Sequence, residues 1–284
     1  MTPRPATPFP LTWLYVPGDR PEVVAKALAC GADVVIVDLE DAVAPDRKAY
    51  ARAATADLLS APPPVPVHVR VNALRTPEAE QDLKVLSPLP GLSALRLPKV
   101  TSPAEIVAVA EGTAPAEGGA IPLYALLESA LGVERAYAIA GAHPALHGIT
   151  LGEADLRADL GAHEDRALDW PRSRVVVAAR AAGLPSPAQS VHPDTKDLDG
   201  LAASCAHGRA LGFLGRAAIH PRQLPVIERA YAPTPQEVES AEETLRAATA
   251  APGAQALPDG RFIDPAIVAA AHRTLSLAAR PTQP

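Results

Sequence analysis

Sulfur is scarce in this chain. Its 284 residues include two cysteines, Cys30 and Cys205, far apart and with no CxxC spacing. Two such thiols suit a reducing cytoplasm and call for neither a disulfide framework nor zinc. No apolar run reaches the roughly 18 residues of a membrane span. The N-terminal MTPRPATPFPLTW has no apolar h-region and is too rich in proline for a signal peptide. A basic stripe is also missing: 26 Lys and Arg stand against 32 Asp and Glu, for a net charge of −6, which argues against a nucleic-acid binder. No GxGxxG follows the first predicted strand, which weakens an open dinucleotide-binding sheet.

What the chain does have is a rhythm. Short apolar runs, each followed by a helix-like segment, recur about every 30 residues. The predicted strands are 11–17, 32–40, 66–72, 94–100, the opening half of IPLYALLESALG (121–132), 147–156, a weaker 186–192, and 216–221. Helices are expected over about 21–30, 47–60, 77–86, 103–111, 133–140, 172–182 and 197–211. Alternating strands and helices in this number give a (β/α)₈ TIM barrel over residues 1–230. Past Pro225 the rhythm stops, and two helices, 234–250 and 265–279, joined by a link that includes LPDGRFID, form a C-terminal helical extension over 231–284 that acts as a lid or a subunit contact.

Barrel chemistry gathers at the carboxyl ends of the strands. Those ends carry Asp19 and Arg20, then Asp38, Glu40 and Asp41, then Arg70 with Asn72, Lys99, Glu128, Asp155 and His220. A buried strand cannot hold an unpaired carboxylate along its middle, so Glu128 belongs where its run ends and the mouth begins. HGITLGEADL repeats the design and puts Asp155 at the end of its strand. Two carboxylates on neighbouring strand ends make a site for a hard cation. Glu153, two residues earlier, is the alternative ligand. A salt bridge to Lys99 or Arg70 is the structural alternative for Glu128, and pairing with Asp38, Glu40 and Asp41 is the one for Arg70. His143 and His147 have helical metal spacing, but Pro144 lies between them and the segment reads as a loop.

PGDRP, GADVVIVDLEDAV, VRVN, LPKV, LLESALGV, LGEADLRADLG and GFLGRAAIHPRQ occur in that order. Together they resemble the citrate lyase β-subunit (CitE-like) family of the HpcH/HpaI aldolase and citrate lyase group, from Leu11 to about Ala279. The resemblance implies that Glu128 and Asp155 ligate Mg²⁺ and also meet the substrate. It implies that Arg70 holds carboxylate or keto-acid oxygens, with Glu40 and Asp41 nearby. Arg20 and Lys26 match the place where the family meets the phosphates of coenzyme A. His220 matches the family's IHP segment, where a general acid and a packed histidine bonded to backbone are both open. Asp264 matches an aspartate that acts from the neighbouring subunit's C-terminal segment, although Asp before Pro265 also suits a helix cap.

The expected activity is therefore that of a Mg²⁺-dependent carbon–carbon lyase. It would cleave a 3-hydroxyacyl thioester of citryl, malyl or citramalyl type into an acyl thioester and a 2-keto acid, with coenzyme A or an acyl-carrier protein as carrier. A malate-synthase-like or thioesterase-like coenzyme A enzyme is the alternative, as is a non-catalytic assembly subunit of a lyase complex. A homotrimer is expected, with no nucleic-acid or membrane partner.

Overall fold

The computed structural model describes residues 9–114, 119–250, 255–256 and 262–280. The proline-rich residues 1–8 and residues 257–261 of the LPDGRFID link lie outside the described residues. The chain forms two compact units, 1–230 and 231–284.

In the first unit, β1 (Thr12–Pro17), β2 (Val34–Asp38), β3 (Val67–Arg70), β4 (Leu92–Leu97), β5 (Leu123–Leu127), β6 (Leu146–Leu151) and β7 (Arg216–Ala218) form one curled parallel sheet. Its order is β6-β5-β4-β3-β2-β1-β7. The crossovers carry α1 (Pro21–Ala27), α2 (Lys48–Leu59), α3 (Pro77–Leu86), α4 (Pro103–Gly112), α5 (Ala130–Glu134), α6 (Ala136–Ala140), α7 (Glu153–Leu160), α8 (Asp169–Ala181) and α9 (Leu198–Leu211), and α10 (Leu224–Tyr231) follows β7. Covered on both faces, the strands are near-continuous apolar runs, and all five residues of β2 are buried. Trp13, Val34, Ile36 and Ala188 pack with Tyr15 in the sheet interior.

Local chemistry starts the helices. Pro21, Pro77 and Pro103 occupy first turns, where a missing N–H costs nothing. Thr76 accepts from the Ala79 N–H at 3.2 Å, and Glu105 reaches back to the Ser102 N–H at 3.0 Å.

Several elements differ from the sequence reading. Strand β4 stops at Leu97 because Pro98 has no N–H to extend the ladder, and Lys99 then turns left-handed at φ 54°. The predicted 133–140 helix is two short ones that meet at Arg135. Strand β6 ends at Leu151, so Asp155 is not on a strand end: it lies in the first turn of α7. Acidic Glu153 and Asp155 suit that electropositive helix start, and Leu156 turns into the core. The weak strand over 186–192 is reduced to one parallel bridge, Gln189 with Arg216. Pro185 and Pro187 remove two of the donors a longer ladder would need. Helix α10 lies where the sequence rhythm stops at Pro225, yet Pro225 sits in a first turn, where a proline is tolerated.

In the second unit, α11 (Pro235–Ala250) packs on α12 (Pro265–Ala278), and β8 (Gln255–Ala256) pairs antiparallel with β9 (Phe262–Ile263). On α12, Ile267 is exposed while Val268 and Leu275 are half-buried.

Candidate active site

A cavity of about 510 Å³ opens at the carboxyl ends of the strands. Asp38, Arg70, Arg96, Glu128 and Asp155 all line it. Register explains part of this convergence. Pro17 pairs with Asp38, Asp38 with Arg70, Arg70 with Arg96, and Arg96 with Tyr124. Residues level with one another in parallel strands share a face, so this row points to one side of the sheet.

Arg70 is the hub of the acidic loop after β2. Its Nε and Nη2 donate to the two Asp38 oxygens at 2.8 and 2.6 Å, and Nη1 stands 3.1 Å from Glu40 Oε2. Burial opposes the guanidinium charge, but the Asp38 hydrogen bonds and charge outweigh it and raise the Arg70 pKa. Its guanidinium also lies over the Tyr15 ring, 5.3 Å from the centroid. The structure thus makes Arg70 a partner of the acidic cluster while leaving it on the cavity wall. Asp38 in turn accepts the Glu40 and Ala42 N–H groups, and Lys48 Nζ holds the Leu39 and Glu40 carbonyls. Lys99 Nζ bonds to Glu40 and stands 3.4 Å from Asp41.

Glu128, just past β5, is 4% exposed. Its Oε2 accepts the backbone N–H of Lys99 at 3.2 Å, and no lysine or arginine side chain forms a salt bridge with it among the described residues. The expected alternative of a salt bridge to Lys99 or Arg70 is therefore not what the fold uses. Burial first, then the Glu40 and Asp155 charges, push the Glu128 carboxyl up to about 8. Gly152 makes room for it: a Cβ there would overlap Glu128 Cγ and stand 2.6 Å from Oε1. Asp155 is exposed and lines the same cavity.

Glu153 is committed elsewhere. Arg172, 2% exposed, clasps it through Nε at 3.0 Å and Nη2 at 2.7 Å, and also holds Asp165 and Asp169. Asp165 is held down at about 2, chiefly by its Arg172 hydrogen bond. Among the described residues no group of three or more His, Cys, Asp or Glu side chains is placed to hold a metal. Glu128 and Asp155 are two carboxylates with mutual repulsion on one cavity. That pair suits Mg²⁺, which takes one or two carboxylates and completes its shell with water or substrate oxygens.

Of the remaining expected residues in the first unit, Arg20, Lys26 and His220 are not part of the cavity lining. Arg20 stands at the N-cap position of α1 without a side-chain capping bond, and Lys26 lies in the last turn, both exposed. His220 Nδ1 accepts the Arg222 N–H at 3.1 Å, a capping role that matches the backbone-bonded reading. His143 accepts the Ala145 N–H, while His147 is an exposed residue of β6. Asp264 caps α12, accepting the Ile267 N–H at 2.9 Å. Sequence reasoning missed Arg96, Gly152 and Arg172. Arg96 was findable: a lone charge within ALRLPKV raises the same question that Glu128 raised in its own run.

Comparison with known proteins agrees with this geometry. The family model described as HpcH/HpaI aldolase/citrate lyase matches residues 11–221. The chain is 35% identical over 274 residues to a (3S)-malyl-CoA thioesterase of Cereibacter sphaeroides, covering 93% of each. It is 35% identical over 278 residues to a citrate lyase subunit beta-like protein of Mycobacterium tuberculosis, covering 95% of this chain and 96% of that one. Among solved structures, Mycobacterium tuberculosis CitE in complex with magnesium, acetoacetate and coenzyme A superposes with a TM-score of 0.80 at 33% identity, covering 96% of this chain and 100% of that one. With its parallel sheet, its two carboxylates on one cavity and this breadth of match, the chain belongs to the HpcH/HpaI aldolase/citrate lyase family.

Proposed function

We propose that this protein is a Mg²⁺-dependent carbon–carbon lyase that splits a 3-hydroxyacyl-coenzyme A thioester into an acyl thioester and a 2-keto acid. One observation carries the reading. Glu128 is a deeply buried carboxylate with no side-chain cation of its own, and it shares a cavity with Asp155. Leaving such a group uncompensated is costly, and a bound divalent ion removes the cost. The magnesium and coenzyme A in the related CitE complex support the same choice.

Bound by Glu128 and Asp155, Mg²⁺ supplies Lewis acidity to oxygens of the substrate. The chain's own groups do the rest. Arg70 is fixed by Asp38 and Glu40 with guanidinium hydrogens still available, so it can orient a substrate carboxylate and steady the oxygen that becomes the keto carbonyl. In the cleavage the hydroxyl gives its proton to water, the C–C bond breaks, and its electron pair passes to the thioester enolate. Protonation of that enolate at carbon completes the acyl thioester, and Asp264 of a neighbouring subunit is the acid in this scheme. Arg20 and Lys26, both exposed on α1, would receive the coenzyme A phosphates. The single Gln189–Arg216 bridge would mark the eighth strand of a closed (β/α)₈ barrel. The assembly would be a cytoplasmic homotrimer in which the 231–284 extension meets the next subunit.

The thioesterase name of one relative favours a second reading, in which water cleaves the thioester. One experiment separates the two. The protein is incubated with Mg²⁺ and a panel of citryl-, malyl- and citramalyl-type thioesters, and 2-keto acid and free thiol are both measured. Keto acid without thiol supports the lyase, and thiol without keto acid supports the thioesterase. Neither product from any substrate would leave the assembly-subunit reading.

A further inference from the structure

Arg96 is 2% exposed and lines the cavity, yet its guanidinium makes no hydrogen bond or ion pair among the described residues. Its Nε is buried without an acceptor, and its guanidinium lies over the Tyr124 ring, 5.2 Å from the centroid. Other buried arginines of this fold have side-chain partners: Arg172 has Glu153, Asp165 and Asp169, and Arg216, whose own Nε also lacks an acceptor, bonds through Nη1 to Gln189 and Ser204. The other cations at the mouth are satisfied too, Arg70 by Asp38 and Glu40, Lys99 by Glu40 and Asp41. The ring side chains nearest Arg96 carry no countercharge. Burial, and then the Arg96 charge, keep His68 well below the usual imidazole range, so it stays neutral, and burial raises Tyr15 and Tyr124 so that they stay phenols.

A second orphan sits in the same lining. Trp13 Nε1 is buried with no acceptor. Indole and guanidinium are donor-only groups, so what both lack is an acceptor, and a buried cation asks for one with negative charge. Arg96 stands level with Arg70 across adjacent strands, one strand away from Glu128's own. A planar fork in this position matches a carboxylate.

We propose that Arg96 is a specificity-determining residue that binds a second carboxylate on the acid portion of the substrate, so that the enzyme selects hydroxy- and keto-dicarboxylates over monocarboxylates. This deepens the lyase reading and rests on it for the rest of the substrate. Selection follows because a site left with an unpaired buried cation rejects the ligand that lacks the anion.

Binding of malate and of lactate to the wild type, Arg96→Gln and Arg96→Lys is measured by calorimetry, once with Mg²⁺ and once with chelator. The wild type should bind malate at least tenfold more tightly than lactate under both conditions. Arg96→Gln should erase that ratio while keeping lactate binding, and Arg96→Lys should restore part of it. Melting temperatures check folding: removing an uncompensated cation leaves Tm unchanged or higher, whereas a structural arginine would lower it. No preference in the wild type, no binding of either acid at millimolar concentration, or a preference that survives Arg96→Gln each overturns the assignment. The Mg²⁺ titration alone reports on the lyase reading. Unaltered Mg²⁺ affinity in Glu128→Gln would sink that reading, while the chelator arm still decides Arg96.

Discussion

Lys99 donates its backbone N–H to Glu128 from a left-handed conformation, φ 54°. Few residues other than glycine hold that conformation without cause, and such strain is kept where surrounding structure requires it. Here Pro98 ends β4, and the turn sends the Lys99 N–H toward Glu128 and its Nζ toward Glu40 and Asp41. One residue thus joins the buried carboxylate to the acidic loop.

The burial of Glu128 has a definite pH signature. Its ordinary value of 4.5 rises to about 8 in the fold. Between those values the folded state holds a proton that the unfolded state gives up. The stability this contributes is complete below about pH 4.5 and is lost as pH rises through about 8. Glu128→Gln has no such loss. In chelator, the Tm of Glu128→Gln minus that of the wild type should grow from about pH 5 to about pH 9. Saturating Mg²⁺ should reverse the order, because only the wild type gains from the ion. A difference that stays flat with pH would mean that Glu128 is not a strained carboxylate. Glu153→Gln should leave Mg²⁺ affinity intact, since that side chain is held by Arg172.

Gly152→Ala tests the space left for Glu128. The added methyl cannot coexist with Glu128 in its present rotamer. Mg²⁺ affinity should fall about 10–100-fold, the usual cost of disturbing a group that orients a ligand. Titration calorimetry reads this directly, and circular dichroism confirms the fold. An alanine variant with normal affinity would show that Glu128 can bind from another rotamer.

Arg70→Lys keeps the charge but not the fork. A lysine cannot span both Asp38 oxygens and Glu40 at once. The expected loss is on the order of tenfold to a hundredfold in kcat/KM. If Tm falls while kcat/KM holds, Arg70 serves the acidic loop and not the substrate.

Asp264 caps α12 whatever else it does. Its proposed second role across a trimer is tested by complementation. Glu128→Gln and Asp264→Asn are made separately, shown to be nearly inactive, then unfolded and refolded as an equal mixture. In random closed assembly about a quarter of sites combine an intact mouth with an intact donated aspartate. About a quarter of wild-type activity should return. Activity that stays at the parents' level despite proven subunit exchange would place Asp264's action within its own chain.

Much of this was legible in the residues because apolar runs that end in a charge obey a simple rule: the charge must leave the core. Glu128 and Arg70 followed from it, and the family resemblance from the ordered motifs around them. LGEADL continues the apolar run through Leu156 and so reads as a strand that holds Asp155, and only the helix reveals that Leu156 points back to the core. Whether Arg70 or Lys99 would pair with Glu128 was not readable. That choice depends on Asp38 and Glu40 capturing both cations first, a matter of distances across strands.

The joining of β1 to β7 has a kinetic consequence. From β1 to β6 each strand lies beside the one made just before it, so the sheet can grow in the order of synthesis. Thr12 then pairs with Arg216, about two hundred residues away, and that closure carries the largest loop entropy in the sheet. A nascent chain stopped short of β7 would hold six strands with one side of β1 bare, an edge open to aggregation or to chaperone capture. Completion of the fold therefore waits on three short residues, Arg216–Ala218.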